Sequence, residues 1–340
     1  MEATLRNDNK AAPARTKGPA PPRAWSLRDL RDSALLCALA IFWLGLPACS
    51  LHAAPVIVLK SSDLTPYGTV ATAIENGRGS GVKVIALSDN KQRYDLAVHA
   101  VWEAEPDVIV ALGARALDAA STEFPSVPVV FGMVADSYIH AKGSGIIAGV
   151  GLIPSEKQVL RAIRIVLPGV DRVALLFVPG RSSEAAGEFG KVGKQMGIEV
   201  RLVEFSTGPD ADNSLQAIGR SCDCLIIYPD PVLLSDKVFG HIVMEAFGLG
   251  LPTVAYSSAF ARMGALMSVE ADYSTVGGDL NKMVDQVLKG TSPRTIGIRP
   301  PSRVQMTVNK AVADELRIRF DIAPGEFSPD ILPTVNFVTN

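Results

Sequence analysis

From about residue 55 onward, the apolar positions of this 340-residue chain fall into short, near-continuous runs. The segments 55–59, 82–87, 107–112, 127–132, 173–178, 199–204, 224–228 and 253–256 are rich in Val, Ile and Leu. Near-continuous apolar runs of this length, joined by helices, predict a parallel sheet covered on both faces. Helical patterns lie between them. Ser155 and Gln158 form a capping box ahead of Val159, Ala162, Ile163 and Val166, which share one helical face, and Leu167-Pro168-Gly169 stops that helix. Helices over 182–196 and 235–249 end at Gly197 and Gly250. Further on, the pattern predicts strand 264–268, helix 274–289, strands 295–298 and 304–308, and a last helix over 309–317.

The alternation of strand and helix runs twice, once over about 55–150 and again from 171. Late segments remain that can cross back. The expected fold class is α/β, with two doubly wound parallel-sheet lobes joined by a hinge and a cleft between them. Open α/β sheets bind ligands at the carboxyl ends of their strands, which selects the loops 60–67, 113–116, 132–138, 229–233 and 257–261.

Residues 1–54 read as an export leader. Residues 1–32 are polar, with seven Lys/Arg and four Asp/Glu, and the uncharged apolar run 34–46 follows. That run is too short to span a bilayer as a helix but suits a secretory h-region. Two cuts fit the cleavage region 47–54. One follows Leu51-His52-Ala53. The other is the lipobox-like Leu46-Pro47-Ala48-Cys49, which makes Cys49 the lipidation candidate. An uncleaved anchor reaching Ala54 is a third reading, opposed by Pro47. From Ser33 on, 26 basic against 31 acidic side chains give a net charge of −5. With an export leader and no second long apolar stretch, the expected location is periplasmic, with the membrane reached only through a lipid anchor or a transporter.

Composition then narrows the function. A mean hydropathy of +0.23 is accounted for by the leader and the buried strands. The whole-chain charge of −2 lacks the basic excess of a nucleic-acid binder. Four cysteines make no disulfide scaffold, and Cys222 and Cys224 have no His or Cys at ligand spacing, so no metal is expected. His52, His99, His140 and His241 also lack metal spacing. No G-x-S-x-G elbow occurs, and Ser182-Ser183 reads as a helix cap. Gly193-Lys194-Gln195 lacks the Ser/Thr of a phosphate loop, and Gly248-Leu249-Gly250 closes a helix instead of opening one. The expectation is no enzyme and no cofactor.

The strand ends offer binding groups instead. Ser61-Ser62-Asp63 can hold an anion with hydroxyls and amides, or simply cap a helix. Asp230, on the stiff Pro229-Asp230-Pro231 turn after Tyr228, can accept a ligand ammonium or serve only the turn. Ser257-Ser258 after Tyr256 repeats the arrangement, and Asp136 and Tyr138 follow the strand 127–132. Tyr228 and Tyr256 are open between buried strand positions and ligand stacking.

The order of segments from about Pro106 to Arg319 resembles the tryptophan/tyrosine-type family of ABC transporter substrate-binding proteins. Its marks are Pro106-Asp107-Val108-Ile109-Val110-Ala111, Val127-Pro128-Val129-Val130-Phe131, Gly149-Val150-Gly151 and Leu167-Pro168-Gly169-Val170. Further on come Leu251-Pro252-Thr253-Val254, Met263-Gly264-Ala265-Leu266, Ala271-Asp272-Tyr273 and Val308-Asn309-Lys310-Ala311. The resemblance implies the type I periplasmic-binding-protein fold. It also implies a receptor that closes on a small solute, often an amino acid, and delivers it to an ABC permease and ATPase. Lobe 1 would be 55–150 with 272–298, lobe 2 would be 151–271 with 299–320, and 321–340 a tail. Hinge crossings would fall near 149–153, 271–273 and 299–302. Gly113-Ala114 and Gly132-Met133 stand where the family often carries a hydroxyl, which removes donors for an amino-acid carboxylate and makes Gly113, Ala114 and Met133 the matching site positions. A ligand-sensing or structural partner of a membrane complex is the alternative use of the same fold.

Overall fold

In the computed structural model, residues 56–134, 147–205, 215–319 and 330–338 are described. The leader, Cys49, Asp136 and Tyr138 lie outside them. The chain runs β1 (Val56–Lys60), α1 (Thr65–Arg78), β2 (Val82–Ala86), α2 (Lys91–Trp102), β3 (Val108–Leu112), α3 (Ala114–Glu123), β4 (Val129–Val134) and β5 (Ile147–Gly151). It continues through α4 (Glu156–Val166), β6 (Arg172–Phe177), α5 (Ser183–Met196), β7 (Glu199–Glu204), β8 (Cys224–Ile227), α6 (Asp236–Gly248), β9 (Thr253–Ala255), α7 (Ser258–Arg262) and β10 (Met267–Ala271). The last elements are α8 (Tyr273–Leu288), α9 (Pro293–Ile296), β11 (Ile298–Arg299), β12 (Val304–Asn309), α10 (Lys310–Glu315) and β13 (Ile331–Val338).

Two sheets result. The first has the order β11-β5-β4-β3-β1-β2 and is parallel throughout. The second has the order β13-β12-β10-β9-β8-β6-β7. The unbroken apolar runs are explained by what covers each face. In the first sheet Val56, Val58, Val108 and Val110 pack with residues of α1 and α8, whereas Ile57, Leu59, Ile109 and Ala111 pack with α2 and α3. In the second, Val173, Leu175, Cys224 and Ile226 face α4 and α5, and Ala174, Leu176, Leu225 and Ile227 face α6. Alternate residues of these inner strands point to opposite faces and both faces are dry, so no polar alternation survives in them, whereas the edge strands β2 and β7 depart from the expected burial and are partly or largely exposed. No helix among the described residues is long and apolar enough to cross a membrane.

The chain passes between the sheets three times: from β5 to α4, from β10 through Asp272 to α8, and from β11 to β12. Each passage is short and leaves from the carboxyl end of a strand, which keeps the carboxyl edges of the two sheets near each other. The sheets are mostly parallel, as expected, and the third passage sets the one antiparallel pairing among the described strands. β12 enters from the carboxyl edge of the first sheet, so it runs away from that edge and pairs antiparallel with β10. β13 then pairs parallel to β12, so the segment expected as a tail contains a strand. Of the segment 295–298 expected as a strand, Pro293 opens a helical turn, Gly297 closes it, and only Ile298–Arg299 is extended.

The capping box read from the sequence is present. The Ser155 hydroxyl accepts from the Gln158 N–H and the Gln158 side chain accepts from the Ser155 N–H. Gln158 is buried and also donates to the Pro301 carbonyl at 3.0 Å, so the box ties α4 to the third passage. Replacing Ser155 with alanine is expected to lower stability by about 1 kcal/mol, measured as a shift of the urea midpoint at unchanged slope.

Candidate functional site

At the carboxyl ends of β6 and β8, a cavity of about 740 Å³ opens toward the passages between the sheets. Its walls include Ser155 and Glu156 at the start of α4, Arg181 in the loop after β6, Tyr228 and Asp230 after β8, and Arg299 of β11. Strand-end loops are free of the ladder and carry side chains that the rigid sheet positions. Asp230 is buried and each oxygen of its carboxylate accepts a hydrogen bond. Oδ2 accepts from Arg181 Nε at 3.0 Å, and Oδ1 accepts from the Val232 N–H at 2.9 Å. The buried charge is thus paired and hydrogen-bonded, as burial of a carboxylate requires.

The second-sheet candidates divide. Tyr228 and Asp230 come together in this cavity with Arg181. Tyr228 is half-buried, with its ring 6.1 Å from that of buried Tyr256 in an edge-on arrangement. Ser257 caps α7, its hydroxyl accepting from the Ala259 N–H at 3.3 Å. The Ser258 N–H donates to Glu270 Oε2 at 3.3 Å, and Gln305 Nε2 donates to Glu270 Oε1 at 3.1 Å. Nearby, burial pushes the Tyr273 hydroxyl pKa up, and the charges of Glu270 and Tyr67 add to the shift.

Of the first-sheet candidates, Ser61 and Gly113 come together, with Tyr67 beside Gly113. Ser61 is buried and its hydroxyl accepts from the Ala116 N–H at 3.0 Å, inside the first turn of α3. It supplies the cap that Gly113, at the capping position, cannot. Gly113 has φ +92°, and a Cβ there would stand 2.5 Å from Ser61 Oγ and 2.8 Å from the Tyr67 hydroxyl oxygen. A hydroxyl-bearing residue at 113 would strain the backbone and displace the Ser61 and Tyr67 side chains, and Ala114 begins the helix. Ser62 accepts weakly from the Leu64 N–H at 3.5 Å. Exposed Asp63 pairs with Lys60 at 2.9 Å, a contact worth little in water. Met133 departs from the expectation. It has φ +61° at a register shift in β4, and its side chain is buried in the apolar cluster under α8.

Sequence reading missed Arg181, Glu156 and Arg299. Arg181 follows a strand of the second sheet just as Asp230 does, so the strand-end rule reaches it. Ser182 does not cap α5 with its side chain. Its hydroxyl bridges the Val178 N–H (2.9 Å) and carbonyl (3.2 Å), tightening the loop that carries Arg181. Burial pushes the thiols of Cys222 and Cys224 up, so neither is poised as a nucleophile.

Burial also raises the Glu156 carboxyl above its ordinary value, and the charge of Glu188 adds to it. The folded state then holds this proton at a pH where the unfolded chain has released it, so the group's contribution to stability falls as pH rises through the carboxylate range. Glu156→Gln is expected to gain stability relative to the unsubstituted protein between about pH 4 and pH 7. Urea midpoints of both proteins across that range test it, and a constant difference counts against it.

Residues 73–322 match the ABC transporter substrate binding protein family, well over half of the chain. The chain belongs to that family. No curated protein matches it. The ligand-free, open structure of a substrate binding protein with adhesive properties from Clostridium difficile is similar, with 15% identity, a TM-score of 0.61, and coverage of 84% of this chain and 99% of that one. An ABC domain in complex with L-Trp from Streptococcus pneumonia has 18% identity and a TM-score of 0.49, covering 82% of this chain and 100% of that one. An ABC transporter substrate-binding protein from Desulfitobacterium hafniense in complex with Leu has 14% identity and a TM-score of 0.46, covering 77% and 88%. At such identities the Clostridium difficile structure supports the fold, two α/β sheets of the periplasmic-binding-protein type. As a substrate binding protein, the chain is a solute-binding receptor of an ABC system, and its family is one of binders, not catalysts.

Proposed function

We propose that this substrate binding protein is exported by its leader, captures a small solute between the two sheets and presents it to the permease and ATPase of an ABC transporter. The observation that carries this reading is the cavity of about 740 Å³, whose wall joins the strand ends of the second sheet to Gly151 and Arg299 of the first. A pocket of that size suits a small metabolite. In this reading lobe 1 is 55–151 with 272–299, one residue past the bounds expected from sequence at two of the crossings because Gly151 and Arg299 belong to strands of the first sheet; lobe 2 is 152–271 with the strands that follow 299, and the three passages near 149–153, 271–273 and 299–302 are the hinge. A solute touching Tyr228 and Arg181 on one lobe, and Ser62, Asp63 and Ala114 on the other, favours closure because only the closed form makes both sets of contacts.

Thermal denaturation against a library of small metabolites tests the reading, with small-angle scattering on the hits. A ligand at one hundred times its Kd adds about 2.7 kcal/mol and shrinks the radius of gyration by closing the cleft. A protein unmoved in both across the library overturns it. Trp102, the only tryptophan after the leader, is a poor reporter: it ends α2, stacked 4.9 Å from Phe124 at the amino edge of the first sheet, away from the strand ends.

A further inference from the structure

We infer that the cavity seats its solute by one anionic group, a carboxylate or phosphoryl group, on the Arg181 guanidinium, with Asp230 acting on Arg181 and not on the solute. This rests on the proposed reading of the cavity as the solute site. Asp230 is the residue on which the sequence would seat a ligand ammonium. Both of its oxygens are taken, by Arg181 Nε and the Val232 N–H, and its side chain is only 5% exposed. With each oxygen already accepting one hydrogen bond and so little of the side chain exposed, Asp230 offers an incoming ammonium little surface, and an ammonium there would compete with Arg181 for the pair that the buried carboxylate needs.

Arg181 is the other half of the argument. Its side chain is 50% exposed and lines the cavity. Only Nε is used by Asp230. The two Nη groups, which carry four of the five guanidinium N–H donors, meet no acceptor among the described residues. A guanidinium held at one edge by a buried carboxylate presents its remaining N–H groups in a fixed plane, the geometry that carboxylate and phosphoryl oxygens accept in pairs. Ser182 fixes the same loop from behind, so the fork is preorganised. Arg299 adds a second cation to the wall. Glu156 and Glu184, in the first turns of α4 and α5, line the cavity as well. They repel a second anionic group, so the solute class is a small mono-acid with a neutral or hydrogen-bond-donating remainder.

The test compares matched sets of probes by calorimetric titration: monocarboxylates, phosphate monoesters, primary amines and uncharged amides. The proteins are wild type, Arg181→Gln, Arg181→Lys and Asp230→Asn, each checked for folding by circular dichroism. Binding is expected in one or both acid sets and in neither other set, and which set binds separates carboxylate from phosphoryl. Arg181→Gln is expected to weaken it about 10- to 100-fold. Arg181→Lys, which keeps the charge and loses the fork, and Asp230→Asn, which loosens the fork, are each expected to weaken it less. Binding confined to amines that is lost in Asp230→Asn and kept in Arg181→Gln overturns the assignment and leaves the receptor reading intact. Acid binding unchanged in a folded Arg181→Gln protein overturns it equally. No binding by any set to the wild type overturns the receptor reading with it.

Discussion

Replacing Gly149 with valine is expected to cost about 3 kcal/mol or more of folding stability, read as a large fall in the urea midpoint. Gly149 lies in β5, paired with Phe131 of β4 on one side and with Ile298 of β11 on the other. A Cβ there would stand 2.4 Å from the Phe131 carbonyl oxygen and 2.6 Å from its ring. The carbonyl is backbone within a central strand, so no rotamer change relieves it and the strands must separate. Separation also pulls on the bond from the Gly149 N–H to the Gly297 carbonyl, 3.1 Å long, which holds β11 to the sheet. Because the clash is with Cβ itself, alanine is expected to carry much of the loss. Gly187 in α5, where an added Cβ would meet no heavy atom within 4 Å, is the control, and alanine there is neutral or slightly stabilising. A Gly149→Val midpoint within the error of wild type would show that β5 is not held where the ladder puts it.

The same strand marks where the fold was legible in sequence and where it was not. Val108–Leu112 and residues 173–177 are runs of Val, Ile, Leu, Ala and Phe that only a doubly covered sheet can bury, and they announce the architecture. Ile147–Gly151 contains two glycines in five residues, and its strand state depends on the close approach of Phe131 and Gly297, which no local pattern carries. The direction of β12 follows from where the chain re-enters the second sheet, a property of the whole path.

At the site the residue types were legible and their partners were not. Asp230 stands out on its proline turn, but the guanidinium that claims it lies 49 positions earlier. Ser61 reads as an anion donor or a helix cap, and the helix it caps has its first turn 55 positions later. Such pairings arise when parallel strands bring successive loops to one edge, so a strand-end residue identifies the edge without identifying its neighbour. Applying the edge rule to every strand, including β6, is what brings Arg181 into view.

That dependence of the site on distant packing sets the second large effect, at Phe239. Its side chain is fully buried in the second sheet's cluster under α6, and its ring lies 4.3 Å from that of Phe260 in α7. α6 follows the Asp230 loop, whose Leu234 N–H bonds to the Asp230 carbonyl at 2.9 Å, and α7 follows Ser257. One ring contact therefore fixes two strand-end loops against each other. Phe239→Ala is expected to cost about 3–5 kcal/mol, from lost transfer energy and the space left between two helices that are each anchored to the sheet. Phe239→Leu refills most of that space and is expected to cost about 1–2 kcal/mol. Hydrogen exchange distinguishes this from general loosening: amides of β8 and β9 should exchange faster in Phe239→Ala, while those of β1 and β3, in the other sheet, keep their protection under native conditions. A loss below about 1.5 kcal/mol, or equal acceleration in both sheets, would mean the ring does not hold the loops. The expected pattern instead makes the precision of the Arg181–Asp230 wall a consequence of a buried aromatic pair that touches neither residue's charge.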